Sequence, residues 1–305
     1  MSFKVVVLGS GAAIPTLNRG TTSHFVNIHN RHILIDCGEG TQIQLRKFKL
    51  KFSKIDFIFI SHLHGDHYFG LMGLISSFHL NKRKTLLTIF GPNGLDEIIT
   101  VQLKHSNTRL NFPLRFVATD TAGKQLILEE KNFRVFSIPL KHRLPCTGFL
   151  VQEKPRLLNL IKEKLQQNKL PIEAINSLRR GKDVLDEEGA VRFAVKDFTH
   201  PPKVPRAYAY CSDTAFDLEL IPHIQGVNLL YHEATFGTDE EERAAETLHS
   251  TAAQAAIIAK MANVGKLLLG HFSSRYIDLA PLLEEARAEF QASYLSEEGI
   301  TYKIE

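Results

Sequence analysis

The sequence predicts an α/β protein built as a four-layer αββα sandwich with an inserted basic arm. Two observations predict the sandwich: short apolar strands lead the chain, and strands then alternate with helices in two successive halves. A third observation predicts the arm, because residues 154–206 carry 12 basic and 7 acidic residues, a local net charge of +5 in a 305-residue chain of net charge +4. We therefore expect one domain over residues 1–305, with the arm inserted at about residues 154–202.

The first half of the chain contains short apolar and β-branched runs separated by turns, and helical spacing of apolar residues follows several of them. The predicted strands are Val5–Leu8, Phe25–Ile28, Ile33–Asp36, Ile55–Ile60, Leu86–Phe90, Leu114–Val117, Phe133–Pro139 and Gly148–Val151. The predicted helices are Gly38–Phe48, Asp66–His79 and Leu95–Leu103.

The second half repeats this alternation after the arm. Its predicted strands are Ala207–Cys211, Asn228–His232 and Lys266–Gly270, and its predicted helices are Leu218–Ile221, Thr251–Met261 and Ala280–Phe290. The arm is predicted to hold the helices Arg156–Leu165 and Leu170–Leu178 without a core of its own. Its charge fits either a solvated surface insertion or an arm that contacts phosphates.

The composition narrows the class of protein. Hydrophobic content of 44% and charged content of 23% exclude a disordered or collagen-like chain. No apolar run approaches the roughly 20 residues of a membrane span, and the N-terminus shows no signal-peptide pattern, so no membrane partner is expected. The three cysteines form no CxxC pair, which favours a reducing, cytoplasmic setting.

The strongest chemical signal is the segment Ser61–His67, SHLHGDH, directly after an apolar run. His62 and His64 are two residues apart at a strand end, so their side chains point to the same face. Asp66 and His67 follow the turn at Gly65 and approach from the start of a helix. Imidazole and carboxylate groups suit zinc and similar ions, so this spacing predicts ligands for two adjacent metals.

Two metals need further ligands from later strand ends. His142 follows the run Phe133–Pro139, Asp213 follows Ala207–Cys211, and His271 follows Lys266–Gly270. Each is a polar residue at the end of an apolar strand, where loops gather functional groups. Together with the SHLHGDH segment they complete a set of five histidines and two aspartates.

This pattern resembles the metallo-β-lactamase superfamily, whose signature is HxHxDH followed by a histidine, an aspartate and a histidine. Four further segments are similar to the tRNase Z (ribonuclease Z) family of tRNA 3′-processing endonucleases, in its short form. They are Leu8–Pro15 (LGSGAAIP), Ile35–Thr41 (IDCGEGT), His232–Phe236 (HEATF) and His249–Ala256 (HSTAAQAA). The resemblance covers nearly the whole chain and implies the metallo-β-lactamase type of sandwich.

The resemblance implies two Zn²⁺ per subunit and a role for each ligand. His62, His64 and His142 hold the first zinc, Asp66, His67 and His271 hold the second, and Asp213 bridges both. A metal-bound hydroxide is the nucleophile, Asp66 acts as the base, and His249, oriented by Glu233, protonates the leaving oxygen. The product is a tRNA with a 3′-OH and a trailer with a 5′-phosphate.

The resemblance also implies precursor tRNA as the substrate and a homodimer in which the arm of one subunit presents tRNA to the site of the other. No protein partner is inferable. Candidate RNA contacts are Arg19 in the loop after the first strand, Arg46 and Lys47 in the basic stretch Arg46–Lys54, and three cations of the arm: Arg179, Arg180 and Lys182. The loop departs from the family pattern PxKxRN at Leu17 and Gly20.

Two other functions remain open from the sequence. The first is a di-zinc phosphodiesterase of the same fold that acts on small phosphodiesters, which keeps every ligand and gives the arm no role. The second is a metal-stabilised RNA-binding protein without turnover, against which the presence of all seven ligands argues.

Overall fold

The structure, a computed structural model, describes residues 2–305. Contacts divide it into two units: the chain up to Gln152 together with Arg206–Glu305, and the segment Glu153–Pro205. Among the described residues, no helix is both long enough and apolar enough to cross a membrane.

The larger unit begins with alternating strands and helices. The strands of residues 2–153 are β1 (Phe3–Gly9), β2 (Ser23–Ile28), β3 (Arg31–Ile35), β4 (Ile55–Phe59), β5 (Leu87–Pro92), β6 (Leu114–Thr119), β7 (Gln125–Glu129), β8 (Phe133–Leu140) and β9 (Cys146–Glu153). The helices of the same residues are α1 (Thr41–Lys47), α2 (Gly65–Tyr68), α3 (Leu71–Leu80) and α4 (Leu95–His105), with a 3₁₀ turn at Phe52–Lys54.

The smaller unit, which corresponds to the predicted arm, consists of short elements. They are β10 (Asn159–Leu160), α5 (Lys162–Asn168), α6 (Ile172–Arg179), β11 (Val184–Leu185), β12 (Val191–Phe193), α7 (Val195–Phe198) and β13 (Thr199–His200).

The chain then completes the larger unit. The remaining strands are β14 (Ala207–Cys211), β15 (Leu229–Glu233), β16 (Leu267–Gly270), β17 (Ser293–Leu295) and β18 (Thr301–Lys303). The remaining helices are α8 (Ile221–Ile224), α9 (Glu241–Thr247), α10 (Ala252–Met261) and α11 (Ala280–Glu289). Thr251 begins α10 with a capping box, in which its side chain accepts from the Gln254 N–H and the Gln254 side chain accepts from the Thr251 N–H.

Two seven-stranded sheets form the centre of the larger unit. Their strand orders are β18-β1-β2-β3-β4-β5-β6 and β17-β16-β15-β14-β9-β8-β7. The strands β3 to β6 run parallel, as do β14 to β17, whereas β1 pairs antiparallel with β2 and β18. Each sheet therefore has a parallel group of strands whose carboxyl ends meet at one edge.

Burial on both faces of each sheet produces the layers. On β1, Val5 and Val7 join the core between the sheets, whereas Val6 and Leu8 join the core beneath α1, α3 and α4. On β14, Tyr208 points to the inner core and Ala209 to the core beneath α8, α10 and α11. Strands buried on both faces read as continuous apolar runs, and this packing confirms the predicted αββα sandwich.

The sequence reasoning was wrong about some elements. The predicted helix Asp66–His79 is two helices, α2 and α3, broken at Gly70, where a Cβ would lie 2.2 Å from the Gly38 carbonyl oxygen. The strands β7, β17 and β18 were not predicted, because each is short and partly exposed, and the apolar run of β7 is limited to residues 126–128.

The arm also differs from expectation. The predicted helix Arg156–Leu165 is replaced by β10 and α5, and β10 pairs with β13 from the far end of the arm. The arm has a small core of its own, formed by Leu170, Ala174, Leu178 and Phe198. The expectation of an arm without a core was therefore wrong. Leu170, Ala174 and Leu178 recur at helical spacing, and Phe198, which is distant in sequence, completes the cluster only in the folded arm.

Candidate metal centre and active site

The seven predicted metal ligands lie together at the carboxyl ends of strands from both sheets. His62 and His64 follow β4, His142 follows β8, Asp213 follows β14, and His271 follows β16. Asp66 and His67 lie in α2, one short turn further along the chain. Most of these side chains are buried, and their donor atoms form one group around His62 and one around His67, with Asp213 within 4 Å of both. A third group, Asp213, Glu233, His249 and His271, overlaps these two.

The first group, called here the His62 half, consists of His62, His64 and His142. The His64 Nδ1 atom lies 3.0 Å from His62 Nε2 and 3.2 Å from His142 Nε2. The Asp213 Oδ2 atom lies 3.6 Å from His62 Nε2 and 3.9 Å from His142 Nε2.

The second group, called here the His67 half, consists of Asp66, His67 and His271. The His67 Nε2 atom lies 3.3 Å from His271 Nε2 and 3.6 Å from Asp66 Oδ2. The Asp213 Oδ1 atom lies 3.4 Å from His67 Nε2 and 3.2 Å from His271 Nε2. Asp213 thus offers one oxygen to each half.

These spacings fit metal ions. A tetrahedral zinc site with bonds of about 2.0–2.1 Å has ligand atoms about 3.3–3.4 Å apart. The donor distances in both halves, from 3.0 to 3.9 Å, lie around that value. Five imidazoles and two carboxylates lie close together here, and burying such groups is favourable only when protons or a cation balance their charges and lone pairs. The donor set therefore suits metal binding.

Asp36, at the end of β3, orients His67 and was not assigned a role from the sequence. Its Oδ2 atom accepts hydrogen bonds from His67 Nδ1 at 2.7 Å, Ser61 Oγ at 2.9 Å and the Tyr210 hydroxyl at 2.6 Å. This fixes the tautomer that leaves His67 Nε2 free to ligate. The signal was present in the sequence, because Asp36 ends an apolar strand as Asp213 and His271 do.

Other ligands are also held from behind. His271 Nδ1 lies 2.9 Å from Thr235 Oγ1, His142 Nδ1 donates to the Leu248 carbonyl at 3.0 Å, and Asp66 Oδ2 accepts from the Ala13 N–H at 2.7 Å. The backbone of His271 has φ of 58°, a left-handed conformation that costs non-glycine residues on the order of 1–3 kcal/mol. This backbone conformation lies in the turn after β16 and directs the His271 side chain toward the candidate metal centre.

Glu233 and His249 form a buried pair beside the two halves. His249 Nδ1 donates to Glu233 Oε1 at 2.8 Å, and Glu233 also accepts from the Thr214 N–H and the Ser250 N–H. Burial lowers the pKa of His249, but the Glu233 carboxylate more than offsets this and raises the pKa to about 9. The pair can hold a proton near neutral pH, as the role predicted for His249 requires.

The predicted RNA-contact residues lie in different settings. Arg19 is engaged within the protein, since its guanidinium donates to the Tyr276 carbonyl at 2.6 Å and lies over the Phe272 ring. Arg46 and Lys47 are exposed at the end of α1. Arg179, Arg180 and Lys182 are exposed at the end of α6 in the arm.

A cavity of about 460 Å³ opens over the centre. Asp66, Asp213, His249 and His271 line it, together with Phe69 on one wall. Its volume is in the range of small-molecule sites, about 300–1,000 Å³. It can admit the groups around one scissile bond, whereas a folded polymer must lie outside it.

An αββα sandwich with such a histidine and aspartate cluster at its strand ends defines the metallo-β-lactamase class of metal-dependent hydrolases. The solved structure of human tRNase Z, short form, superposes with a TM-score of 0.72 at 28% identity and covers 99% of both chains. The chain is 46% identical to a ribonuclease Z of Bacteroides fragilis over 99% of both chains. It is 47% identical to a ribonuclease Z of Cytophaga hutchinsonii over 100% of this chain and 97% of that one. The chain belongs to the ribonuclease Z family.

A family model described as anti-Pycsar protein Apyc1 also matches residues 3–131. That match covers β1 to β7 and the SHLHGDH segment, and it stops before His142, Asp213 and His271. The relatives of the ribonuclease Z family, by contrast, match over essentially the full chain.

Proposed function

We propose that this chain is an endoribonuclease that removes the 3′ trailer from precursor tRNA, leaving a 3′-OH on the tRNA and a 5′-phosphate on the trailer. The observation that carries the proposal is the presence, around one cavity, of both metal-binding halves and the Glu233–His249 pair. Full-length similarity to ribonuclease Z relatives supports it.

We further propose two Zn²⁺ per subunit, one held by the His62 half and one by the His67 half, with Asp213 ligating both. Bound zinc lowers the pKa of water toward 7 and stabilises negative charge on a phosphoryl group. The imidazole-rich donor set favours zinc over magnesium or calcium, which prefer oxygen ligands.

The remaining chemistry falls to side chains of this chain. Asp66 takes the proton of the attacking water, and the Ala13 N–H that donates to its Oδ2 atom keeps the carboxylate in place. His249 gives a proton to the leaving 3′ oxygen. Glu233 favours the protonated form of His249 and directs its Nδ1 away from the cavity, which leaves Nε2 for the substrate.

The arm is proposed as the tRNA-binding element, acting across a homodimer. Its exposed Arg179, Arg180 and Lys182 offer charges that phosphates can contact, and its own core can hold them in place. Arg46 and Lys47 are proposed to add contacts near α1. The three cysteines are buried free thiols, which agrees with a cytoplasmic location.

The first test is cleavage of a labelled precursor tRNA with a 3′ trailer, with the product end mapped. We expect one cut after the discriminator base by the wild-type protein and none by Asp66→Ala. Brisk hydrolysis of bis(p-nitrophenyl) phosphate without precursor cleavage would instead support the small-phosphodiester function. Binding of precursor without turnover of either substrate would support an RNA-binding protein.

A second test addresses the arm and the dimer. Charge reversal of Arg179, Arg180 and Lys182 to glutamate should raise KM for precursor tRNA at least tenfold, because each lost phosphate contact weakens binding. Sedimentation of the wild-type protein should give a dimer. A monomer that cleaves precursor tRNA at full rate would refute the proposed action across subunits.

A further inference from the structure

Three arginines line the cavity, and in the described part of the chain the side chains of two of them form no ion pair or hydrogen bond. Arg275 forms an ion pair with Glu240 and lies over the Phe236 ring. Within residues 2–305, the side chains of Arg143 and Arg243 make neither an ion pair nor a hydrogen bond, and both residues are exposed. Two free guanidinium groups beside a site for phosphate chemistry are in a position to receive further phosphates.

Arg143 and Arg243 come from different segments that meet on one side of the cavity. Arg143 directly follows His142, and Arg243 lies on α9, which leads into Leu248 and His249. The hydrogen bond from His142 Nδ1 to the Leu248 carbonyl joins the two segments.

The face of α9 that carries Arg243 is turned toward the cavity. Thr247, one helical turn later, lines the same cavity, and residues four apart on a helix share a face. The Thr247 hydroxyl donates to the Arg243 carbonyl at 2.7 Å. Both arginines therefore lie on the His249 side of the cavity. Other loops supply other parts of the cavity lining: Ala13 lies in the loop after β1, and Ser273 lies in the loop after β16.

We propose that Arg143 and Arg243 bind backbone phosphates of the RNA strand that ends in the leaving 3′ oxygen, which is the tRNA side of the cut and not the trailer. This inference rests on the proposed function. If His249 protonates the leaving oxygen, the nucleotides that carry that oxygen lie next to His249 and its neighbours. Guanidinium groups match phosphate oxygens in charge and in bidentate geometry.

The experiment compares the two products as inhibitors of precursor cleavage. One is tRNA ending in a 3′-OH at the discriminator base, and the other is a 5′-phosphorylated trailer oligoribonucleotide. In the Arg143→Ala/Arg243→Ala protein, we expect the inhibition constant of the tRNA to rise about tenfold, which corresponds to roughly 1.4 kcal/mol. The inhibition constant of the trailer should change less than about twofold.

Salt dependence and a matched variant complete the test. The slope of log KM against log salt should become shallower by about 0.7–0.9 for each arginine removed. Arg109→Ala removes an exposed cation that does not line the cavity, and it should leave both inhibition constants and the salt slope as in wild type. Arg143→Lys should restore part of the tRNA affinity, because a lysine keeps the charge without the bidentate geometry.

Weaker binding of the trailer, or unchanged binding of both products, would overturn the assignment of the two arginines. If the wild-type protein does not cleave precursor tRNA at all, the proposed function fails first. The two failures are therefore distinguishable within one set of assays.

Discussion

The two halves of the candidate metal centre differ in charge, although their donor atoms are spaced alike. Burial lowers the pKa of His62, and its histidine neighbours lower it further, so that the pKa lies well below its ordinary value despite Asp213. Burial also lowers the pKa of His67, but Asp213, Asp66 and Asp36 reverse this and raise it well above the ordinary value. The local electrostatics therefore favour the charged imidazolium at His67 and the neutral imidazole at His62.

The difference follows from where the carboxylates lie. The His67 half has Asp66 as a ligand and Asp36 behind His67 at 2.7 Å. In the His62 half, His142 is backed by the Leu248 carbonyl and His62 by the Ser61 hydroxyl, both uncharged. A region that attracts a proton also attracts a divalent cation. We therefore expect the His67 half to retain metal more tightly than the His62 half.

The most severe test removes the ligand that both halves share. Asp213→Ala should lose metal from both halves and reduce precursor cleavage by about a thousandfold or more, because metals supply several kcal/mol and each 1.36 kcal/mol is tenfold in rate. Metal content by mass spectrometry and the cleavage rate measure the two effects. Retention of one full equivalent of metal would show that one half binds without Asp213.

The next test separates His249 from the ligands. His249 also lies close enough to Asp213, Glu233 and His271 to belong to a metal-binding group. If it is the acid, His249→Ala should reduce the rate by about 10²–10⁴-fold while both metal equivalents remain. Loss of metal in this variant would identify His249 as a ligand and would change the division into two halves.

A pH titration tests whether a neighbouring carboxylate also raises the pKa of His249, which is not one of the seven predicted ligands. With Glu233 ionised, the pKa of His249 is about 9 in the metal-free protein, above its ordinary 6.5. The interaction of protonated His249 with Glu233 therefore stabilises the folded state. This stabilisation is fully present below about pH 6.5 and is lost as the pH rises through about 9. Glu233→Gln leaves the burial effect, which lowers the pKa, together with the opposing effects of Asp213 and His67. The pKa of His249 should therefore fall from about 9, as NMR of labelled histidine would show. An unchanged titration would mean that Glu233 is not the cause.

Asp36→Asn tests the source of the difference between the halves directly. It removes the negative charge behind His67 and leaves the Leu248 carbonyl behind His142 unchanged. On the His62 side it changes only the hydrogen-bond acceptor of the Ser61 hydroxyl, which lies 3.0 Å from His62 Nδ1. Zinc affinity of the His67 half should fall by about 10–100-fold, the usual effect of losing such a partner. Competition with a chelator should show wild-type protein releasing its two metals in separate phases, which converge in the variant. Equal weakening of both phases would contradict the comparison.

Tyr210→Phe is the smallest expected change. It removes one hydrogen bond to Asp36, at 2.6 Å, and leaves those from Ser61 and His67. A hydrogen bond to a charged group contributes about 1.5–3 kcal/mol to stability, but Asp36 keeps two other donors, so affinity in the His67 half should fall by only about threefold. Circular dichroism melting would check that the inner core still packs, because Tyr210 stacks on Tyr231 there.

The layers of this protein and the residue types of its candidate metal centre could be predicted from the sequence. A strand that is buried on both faces has a continuous run of apolar residues, which can be recognised in the sequence. An acidic residue or a histidine directly after such a run can then be recognised as a candidate functional residue. His142, Asp213 and His271 were predicted in this way and Asp66 from the SHLHGDH segment, and the ribonuclease Z resemblance came from four further short motifs.

Only the tertiary structure decided which residues act behind the ligands and what surrounds them. Asp36 reaches His67 across 31 residues of sequence, and Glu233 reaches His249 across 16, so no local pattern links either pair. Arg19 was predicted to contact RNA, but in the fold its guanidinium donates a hydrogen bond to the Tyr276 carbonyl. Local sequence patterns indicate which face of a helix or strand is buried. Ion pairs and hydrogen bonds between side chains depend instead on the distances between different elements, and only the packed fold sets those distances.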